Sequence, residues 1–578
     1  MRESKALQVL KGRHLRLEEP LLLSTVSGVA STKPALIRYF DQKISPIGII
    51  TTKSFQVTPN PGNREPVICE TTKGNFGNSV GLRNPGMDQA LAELRALRQE
   101  WKFRCLLNVS LSANSVEDFI MLVEVFSEVA DILELNFSCP HAAEGYGASI
   151  GCSSEISSDY VRKIKEATKK SEVPLFVKLT PNVEDIGQVA KAVVDAGADG
   201  LVAINTVGPI VHEDPVSHTP ILQNTIGGKG GCSGRWVHGK AVSCIKEIRM
   251  AVGDDVPLIG MGGVSTGEEA AEMVLCGADA VGIGSAFGTV SQKDWEPYLN
   301  SVLAEAEARL KPGKEYLGPK SETYLAEDRQ MAYRKHTVTK IAYYGKDTII
   351  LTLDGSLPCK AGEFAFLWLP GIGEKPFSVA HNDPLTFVVK KRGPFTEALW
   401  LLSLGSDLYV RGIYGAQLEN ERTDKALLVA GGTGVAVLPA LAQQLKEQGT
   451  EMTILVGTSE SVAGKALLED RLSGFGSFTC VADDGKNGRV LDLLNGLSLG
   501  PDQACYLVGP EIFMAIAAKK LILQGMEEEK IYLSMERMTL CGIGMCGECV
   551  CGDRLTCQWG SFMRYDYLKE HAPSMVGL

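Results

Sequence analysis

Five cysteines fall within one glycine-rich stretch near the end of the 578-residue chain. Four of them, Cys541, Cys546, Cys549 and Cys557, are spaced C-x4-C-x2-C-x7-C. The first three match the plant-type pattern of a [2Fe–2S] cluster, in which thiolates hold the irons and amides of a glycine-rich loop can donate to the sulfides. A structural zinc site is the alternative, but zinc sites usually pair two CxxC-like elements. We predict an iron–sulfur cluster; the spacing does not fix which four thiols ligate, because Cys551 supplies a fifth.

A separate cysteine, Cys139, follows a strongly apolar run in "ELNFSCPHAAEGYG". A thiol with a pKa of about 8.5 can carry a proton to or from a carbon next to a carbonyl, and neighbouring groups set that pKa. The amide of Asn136, just before it, can orient a polar heterocycle. The alternative is that Cys139 is one more buried small residue, as free cysteines often are.

A third candidate site, for a nucleotide, is the glycine-rich turn in "LLVAGGTGVAVLPALAQQL". It consists of Gly431, Gly432, Thr433 and Gly434, between an apolar run and a helical pattern. Such a backbone can approach a pyrophosphate at the positive end of a helix. Turns of this kind also serve tight strand-to-helix packing, so the motif is weak when taken alone.

These residues need elements to position them, and up to about residue 310 short apolar runs alternate with amphipathic stretches. Buried parallel strands have this pattern. Polar residues and glycines lie at the carboxyl end of most of these predicted strands. This arrangement favours a (β/α)₈ barrel over a doubly wound sheet. The predicted strands are "PIGIITT", "RCLLNVSL", "ILELNFS", "PLFVKLT", "GLVAINT", "VPLIGMGGV" and "AVGIGSA".

The alternation of apolar runs and amphipathic stretches ends at residues 309–328, which are rich in proline, glycine and charged residues. Alternating strands and turns then indicate a small antiparallel barrel, and β/α units return before the cysteine segment. The predicted divisions are a barrel at 1–315, a linker at 316–331, an antiparallel barrel at 332–422, an α/β domain at 423–535 and the cysteine segment at 536–578.

Composition limits the partners. The chain has 58 lysine and arginine residues against 69 aspartate and glutamate residues, a net charge of −11, and no basic run. This argues against nucleic acid or an anionic membrane as a partner. No signal-like region or window of about 18–20 apolar residues is present, so a cytoplasmic location is expected. Fifteen cysteines without a secretion signal indicate reduced thiols, ligands or catalytic groups.

From residue 332 onward, "KPFSVAH", "KKRGPFTEAL" and "CYLVGPEIFM" resemble the flavin and nicotinamide segments of the ferredoxin-reductase family. With "SMERMTLCG" and the cysteines following in order, the region resembles the electron-transfer subunit of heteromeric, NAD-linked dihydroorotate dehydrogenases. The resemblance implies FAD, NAD(H) and a [2Fe–2S] cluster. Lys375 stands where the family has arginine. A lysine does not make the bidentate phosphate contact that an arginine makes. The implied FAD residues are Lys375, Pro376, Phe377, Ser378, Gly393 and Thr396, and the turn at Gly431, Gly432, Thr433 and Gly434 is the further cofactor-binding candidate.

The loop around Cys139 resembles the catalytic loop of class 1 dihydroorotate dehydrogenases and of the pyrimidine-site domain of dihydropyrimidine dehydrogenase. The resemblance makes Cys139 the catalytic acid/base, and Lys178 a stabiliser of negative charge on reduced FMN. Asn114 is a flavin candidate that could equally be a helix N-cap. The implied FMN residues are Lys53, Ser54, Asn114, Lys178, Ser233, Gly234, Gly262, Gly263, Gly284 and Ser285. The implied substrate residues are Asn78, Asn136, His141, Asn205 and Thr206.

The substrate pocket mixes features of both families. His141 stands where dihydroorotate dehydrogenases usually have asparagine, and Thr206 where they often have serine; both, with a loop ending at Cys152, are similar to dihydropyrimidine dehydrogenase. "NSVGLRNPG" is instead similar to dihydroorotate dehydrogenase. The resemblance therefore leaves orotate and a neutral ring such as uracil both open.

Together these features predict an oxidoreductase fused into one chain, interconverting dihydroorotate and orotate with electrons passing between FMN, [2Fe–2S], FAD and NAD(H). "VGTSES" lacks an arginine cluster for a 2′-phosphate, which mildly favours NADH. Family precedent implies a homo-oligomer formed through the barrel. The alternatives are an NAD(P)H-dependent reductase of uracil, thymine or another cyclic amide, and an electron-transfer partner with a degenerate barrel. Lys53, Lys178 and Cys139 argue against the last.

Overall fold

Two compact units make up the structure, a computed structural model that describes residues 4–137, 148–311, 313–458, 465–482, 489–500 and 502–577. The first unit comprises Met1–Gln330 with the short segment Ile543–Glu548. The second comprises Met331–Gly542 and Cys549–Leu578. A piece of the predicted cysteine segment therefore belongs to the first unit.

The elements of the first unit alternate in type along most of its length. Its strands are β1 (Leu23–Thr25), β2 (Ile47–Thr51), β3 (Ile68–Thr72), β4 (Asn75–Asn78), β5 (Leu106–Leu111), β6 (Ile132–Asn136), β7 (Leu175–Lys178), β8 (Gly200–Ala203), β9 (Val207–Val211), β10 (Lys229–Gly234), β11 (Leu258–Met261) and β12 (Ala280–Ile283). Its helices are α1 (Lys5–Leu10), α2 (Pro34–Lys43), α3 (Met87–Glu100), α4 (Val116–Phe126), α5 (Ala148–Gly151), α6 (Ser154–Ala167), α7 (Ile186–Asp195), α8 (His238–Val252), α9 (Gly267–Leu275) and α10 (Trp295–Leu310).

Eight of these strands close into a barrel in the order β1, β2, β5, β6, β7, β8, β11 and β12, and each pairs in parallel with its neighbours. The predicted (β/α)₈ barrel is confirmed. Several helices that follow barrel strands begin at a polar N-cap whose side chain accepts an amide of the first turn, which satisfies a donor that the helix leaves open. These caps are Ser115, Ser153, Asp185 and Thr266. A separate antiparallel sheet has the order β3-β4-β10-β9.

Residues after α10 pack on the barrel rather than leaving it. The backbone amide of Ala326 donates to Thr289 O at 2.7 Å, and that of Gln330 donates to Glu70 Oε2 at 2.6 Å. Ser321, which is buried, also contacts Glu305 of α10. The segment predicted as a linker thus lies within the first unit up to Gln330.

The second unit contains an antiparallel sheet and a mainly parallel sheet. Its strands are β13 (Tyr333–Tyr344), β14 (Thr348–Leu353), β15 (Phe364–Leu369), β16 (Gly373–Phe377), β17 (Val379–Asn382), β18 (Leu385–Lys390), β19 (Asp407–Tyr414), β20 (Lys425–Gly431), β21 (Glu451–Thr458), β22 (Ser477–Ala482), β23 (Gln503–Val508), β24 (Ile531–Ser534), β25 (Val550–Cys551), β26 (Arg554–Leu555) and β27 (Phe562–Arg564). Its helices are α11 (Pro394–Trp400), α12 (Leu438–Glu447), α13 (Glu469–Leu472), α14 (Val490–Leu493), α15 (Glu511–Leu523), α16 (Thr556–Trp559) and α17 (Tyr565–His571).

The antiparallel sheet has the order β16-β15-β19-β13-β14-β18-β17, and the other has the order β22-β21-β20-β23-β24-β27, with only β27 antiparallel. Helices pack on the parallel sheet through the apolar clusters that bury its strands. The predicted succession of an antiparallel β region and an α/β region is confirmed. Within the described ranges, no helix is long and apolar enough to cross a membrane.

Candidate functional site

The interior of the barrel changes from apolar to polar along the strand direction. Leu106, Ile132 and Phe176 belong to an apolar cluster that fills the lower interior. Because inward-facing residues alternate along each strand, the next inward positions lie two residues further on. These positions, all buried, are Asn108, Ser110, Glu134, Asn136 and Lys178. A polar layer therefore lies at the carboxyl end of the barrel, where barrel enzymes carry their active sites.

Glu134 and Lys178 form the charged centre of this layer. Glu134 is fully buried and Lys178 is 4% exposed, and Lys178 Nζ lies 3.8 Å from Glu134 Oε1. Ser110 Oγ donates to Glu134 Oε1 at 2.8 Å, and Asn108 Nδ2 lies 3.3 Å from Glu134 Oε2. The sequence analysis named Lys178 but missed Glu134. The available signal was a lone carboxylate in an apolar strand, two residues before Asn136 on the same face.

Ser54, which follows β2, forms a hydrogen bond with Asn136 of β6. Its hydroxyl lies 2.9 Å from Ser110 Oγ and 3.0 Å from Ser27 Oγ, and it accepts from Asn136 Nδ2 at 3.0 Å. The adjacent Lys53 is 9% exposed, and its Nζ lies 2.6 Å from Glu548 Oε1. Burial lowers the pKa of the Lys53 ammonium, and attraction to Glu548 opposes that shift. The structure thus brings Lys53, Ser54, Asn136 and Lys178 to one end of the barrel.

Two buried polar atoms, one in β5 and one just after it, suit an added polar ligand. In the described part of the chain, Asn108 Oδ1 and Ser112 Oγ have no hydrogen-bond partner. A buried polar group left unpaired costs roughly 1–3 kcal/mol, so a ligand that pairs with it gains that amount. A flavin ring offers donors and acceptors along its edge. The residues present therefore fit the flavin that the sequence predicts.

The predicted glycine positions end β10 or follow β11 and β12. Gly234 and Gly263 have φ of 104° and 72°, and a Cβ on Gly263 would lie 2.8 Å from Gly234 O. A Cβ on Gly284 would lie 2.6 Å from Val26 Cγ2. Close packing by itself explains these glycines. Ser233 lies in β10 beside Gly234, whereas Gly262 and Ser285 lie in the turns after β11 and β12.

Among the residues that the structure describes, the predicted substrate residues outside the barrel interior lie on a side strand and on the loop after β8. Asn78 ends β4, and its Nδ2 lies 3.3 Å from Gly231 O. Asn205 Oδ1 accepts the amide of Thr206 at 2.8 Å. Asn182, which the sequence analysis missed, donates to Thr206 O at 3.1 Å and accepts from Gly208 N at 2.9 Å. Asn182 therefore holds the loop after β8 to the loop after β7.

The central catalytic prediction falls in residues 138–147. Cys139 and His141 lie outside the described residues, which resume at α5. Cys152 is exposed, with its Sγ 3.6 Å from Asn182 O. Asn114 is also exposed, and Ser115 rather than Asn114 caps α4 by accepting the Asp118 amide.

In the second unit, the two predicted flavin segments lie side by side. Lys375, Pro376 and Phe377 belong to β16, Ser378 follows them, and the ring of Phe377 lies 6.4 Å from that of Phe395 in α11. The hydroxyl of Thr396 accepts the amide of Gly393 at 3.0 Å, which fixes the turn before α11.

The predicted nucleotide turn lies at the carboxyl end of the parallel sheet. β20 ends at Gly431, and Gly432, Thr433 and Gly434 begin the 3₁₀ turn that leads into α12. A Cβ on Gly434 would lie 3.1 Å from the Cα of Gly509, which follows the neighbouring strand β23. Nucleotides bind outside the carboxyl ends of strands in sheets of this type.

Cys541, Cys549 and Cys557 are buried in the second unit. Cys549 Sγ and Cys557 Sγ lie 3.3 Å apart. Two thiolates that share a tetrahedral metal with bonds of about 2.3 Å stand roughly 3.8 Å apart, so this pair suits one iron. Contacts with the Cys541 and Cys549 thiols raise the pKa of Cys557 well above its usual value. Cys551 instead lies with its Sγ 3.4 Å from Met575 Sδ.

The fourth predicted ligand, Cys546, lies on the segment of the first unit, where its carbonyl accepts Thr32 Oγ1 at 2.9 Å. Among the residues that the structure describes, no group of three or more His, Cys, Asp or Glu side chains is arranged to hold a single metal ion. The Cys549–Cys557 pair fits two thiolates on one iron of a [2Fe–2S] cluster, and Gly542, Gly544 and Gly547 have positive φ.

Arg411 anchors the start of the cysteine segment to the antiparallel sheet. It is 1% exposed, and two of its nitrogens lie 2.6 Å from the two carboxylate oxygens of Glu374. A third donates to Cys541 O at 2.8 Å. The sequence analysis missed this arginine, although a lone charge within "DLYVRGIY" was a visible signal.

We expect Glu134→Ala to lower the free energy of unfolding of the barrel by about 3–5 kcal/mol, because it leaves Lys178 buried without its opposite charge. Native-state hydrogen exchange of β6 amides in the full chain measures this loss. Glu124→Ala, at an exposed position of α4, is the control and is expected to stay within about 0.5 kcal/mol of the parent. Equal stability of the two variants would contradict the assignment.

Comparison with known proteins identifies the class to which this barrel belongs. Residues 10–303, which are 294 of the 578 residues, match the family described as Dihydroorotate dehydrogenase. The chain belongs to the dihydroorotate dehydrogenase family and is an oxidoreductase.

Its relatives include the catalytic subunit of dihydroorotate dehydrogenase B (NAD(+)) from Methanocaldococcus jannaschii, 44% identical over 41% of this chain and 74% of that protein. The corresponding subunit from Pyrococcus abyssi is 39% identical over 47% of this chain and 85% of that protein. A solved NADH-dependent reduced ferredoxin-NADP oxidoreductase is 26% identical over 41% of this chain and 93% of that chain, with a TM-score of 0.37.

Proposed function

We propose that the chain oxidises dihydroorotate to orotate at an FMN in the barrel and passes the electrons through a [2Fe–2S] cluster and FAD to NAD⁺. The observation that carries the proposal is the 44% identity of the barrel region to a catalytic subunit of NAD-linked dihydroorotate dehydrogenase B. When bound, FMN accepts a hydride, the cluster passes single electrons and FAD delivers a hydride to NAD⁺.

The barrel residues have distinct parts in this proposal. Lys178 would supply positive charge to a bound FMN, and Glu134, 3.8 Å from it, balances that charge. Ser54 and Asn136 orient polar ring atoms from the same layer. Cys139 takes the proton from the carbon next to the one that gives up the hydride. One hydride and one proton together convert the single bond of the substrate ring to a double bond.

The second unit supports the remaining steps of the proposed path. The adjacent segments at Lys375–Ser378 and Gly393–Thr396 are assigned to FAD, and residues 332–422 are its domain. The glycine loops at Gly431–Gly434 and Gly509 are assigned to NAD(H) within residues 423–535. The cysteines at 541, 546, 549 and 557 are assigned to the cluster.

Anaerobic flavin bleaching tests the proposal. The purified chain, loaded with FMN, FAD and iron–sulfur cluster, is mixed with dihydroorotate, dihydrouracil or dihydrothymine while the flavin absorbance is followed. Bleaching by dihydroorotate supports the proposal. Silence with dihydroorotate, while NADH still bleaches the flavin, would refute it.

The second candidate is a reductase of a neutral pyrimidine, which His141 and Thr206 favour because they are similar to dihydropyrimidine dehydrogenase. Bleaching by dihydrouracil or dihydrothymine but not by dihydroorotate would establish this second function instead.

A further inference from the structure

The segment Ile543–Glu548 is held on the barrel by its backbone. The amide of Ala30 donates to Met545 O at 2.8 Å, and Thr32 Oγ1 donates to Cys546 O at 2.9 Å. Both barrel residues lie between β1 and α2. The segment that carries Cys546 is therefore bound at the carboxyl end of β1, the end at which the polar layer lies.

Gly547 brings the segment as close to this loop as a backbone can come. Its φ is 70°, and a Cβ at this position would lie 2.3 Å from Thr32 Oγ1 and 2.9 Å from Ala30 O. Real Cβ atoms do not approach that closely, so only glycine fits here. The close fit fixes the backbone immediately before Glu548 against the loop between β1 and α2.

Glu548 binds two barrel lysines with its two oxygens. Oε1 lies 2.6 Å from Lys53 Nζ, and Oε2 lies 3.0 Å from Lys33 Nζ. The side chains of Glu548 and Lys53 are 6% and 11% exposed, whereas that of Lys33 is 39% exposed. Lys53 precedes Ser54, the residue that joins the polar layer. The carboxylate thus connects the cysteine segment with the candidate flavin site through one buried ion pair.

We propose that Glu548 is a positioning residue for electron transfer, which holds the Cys546 segment at the carboxyl end of the barrel through Lys53 and Lys33. The electron-transfer part of this inference rests on the proposed function. Replacing the carboxylate with an amide keeps the size of the side chain but leaves a buried ammonium without its opposite charge. The segment then loses the contact that ties it to the polar layer, while the residues that contact the substrate stay in place.

Hydrogen exchange of the holoenzyme measures the position of the segment without any turnover. In Glu548→Gln we expect the amides of residues 543–548 to exchange at least tenfold faster than in the parent, a factor that corresponds to 1.4 kcal/mol. In Glu548→Asp, which keeps the charge, we expect exchange closer to that of the parent. Unchanged exchange in Glu548→Gln would overturn the proposal.

Stopped-flow spectroscopy separates the chemical step from the electron-transfer step. With dihydroorotate, we expect Glu548→Gln to reduce the barrel flavin within twofold of the parent rate and to reduce the cluster at least tenfold more slowly. We expect Glu548→Asp to recover part of the second rate. Equal slowing of both steps, or of neither, would overturn the positioning role.

Two further variants keep the test decisive. Glu570→Gln removes an exposed carboxylate of α17 and is expected to match the parent in both measurements. Lys33→Ala removes only the more exposed lysine and serves if Glu548→Gln does not fold. We expect it to increase the exchange of amides 543–548 two- to fivefold. No increase would overturn the proposal. If the parent flavin is not reduced by dihydroorotate, the proposed function fails, yet the exchange measurement still decides whether Glu548 holds the segment.

Discussion

Cys139→Ala is expected to slow the reduction of the barrel flavin by dihydroorotate by about 10²–10⁴-fold, the usual contribution of a positioned general acid or base. The thiol is the proton acceptor in the proposed reaction, and alanine offers none. The rate is measured by anaerobic stopped-flow absorbance of the loaded chain. Because the nicotinamide half does not depend on this thiol, reduction of FAD by NADH is expected to stay at the parent rate.

Cys152→Ala is the matched control for Cys139→Ala. Cys152 follows Cys139 by 13 positions in the sequence and is exposed, with its Sγ 3.6 Å from the Asn182 carbonyl. We expect this variant to reduce the flavin within twofold of the parent rate. A parent-like rate in Cys139→Ala, or a comparable loss in Cys152→Ala, would remove Cys139 from the acid/base role.

Cys549→Ala is expected to abolish the transfer of electrons between the two flavins. Cys549 lies 3.3 Å from Cys557, and losing either thiol leaves an iron without one of its ligands. NADH should then reduce FAD, and dihydroorotate should reduce FMN, but no orotate-linked oxidation or reduction of NAD(H) should remain. Iron content, the low-temperature EPR signal of the reduced protein and coupled turnover measure the three parts of this result.

Cys551→Ala separates the loss of a ligand from the loss of any cysteine in this region. Cys551 is buried against Met575 within an apolar cluster, so its removal is expected to leave iron content and coupled turnover unchanged. If Cys551→Ala lost the cluster and Cys549→Ala retained it, the ligand set would have to be reassigned.

Much of the barrel could be predicted because most residues of its strands are apolar. The seven predicted runs correspond to β2, β5, β6, β7, β8, β11 and β12. The eighth strand, Leu23–Thr25, has only three residues and follows a mixed stretch, so no pattern marks it. The strands of the side sheet are also poor signals, since β4 and β10 are rich in glycine.

The candidate site could be predicted only where a residue type implies a chemistry by itself. Ser54, Asn136 and Lys178 follow or end apolar strands, and the structure brings them together. Glu134 and Arg411 were overlooked because charged residues within apolar strands need partners that sequence order does not reveal. The partner of Lys53 is 495 positions away, a pairing that depends wholly on the folded chain.

Six residues of the first unit, Ile543–Glu548, are encoded more than two hundred positions after the rest of it. Dividing the gene after Gln330 would therefore leave six residues of the first unit on the carboxyl-terminal product. The amino-terminal product would lack the carboxylate that meets Lys53 and Lys33, and the carboxyl-terminal product would carry a fragment that belongs to its counterpart. In modular terms, the first unit is discontinuous in sequence, so no single cut in the gene separates the residues of one unit from those of the other.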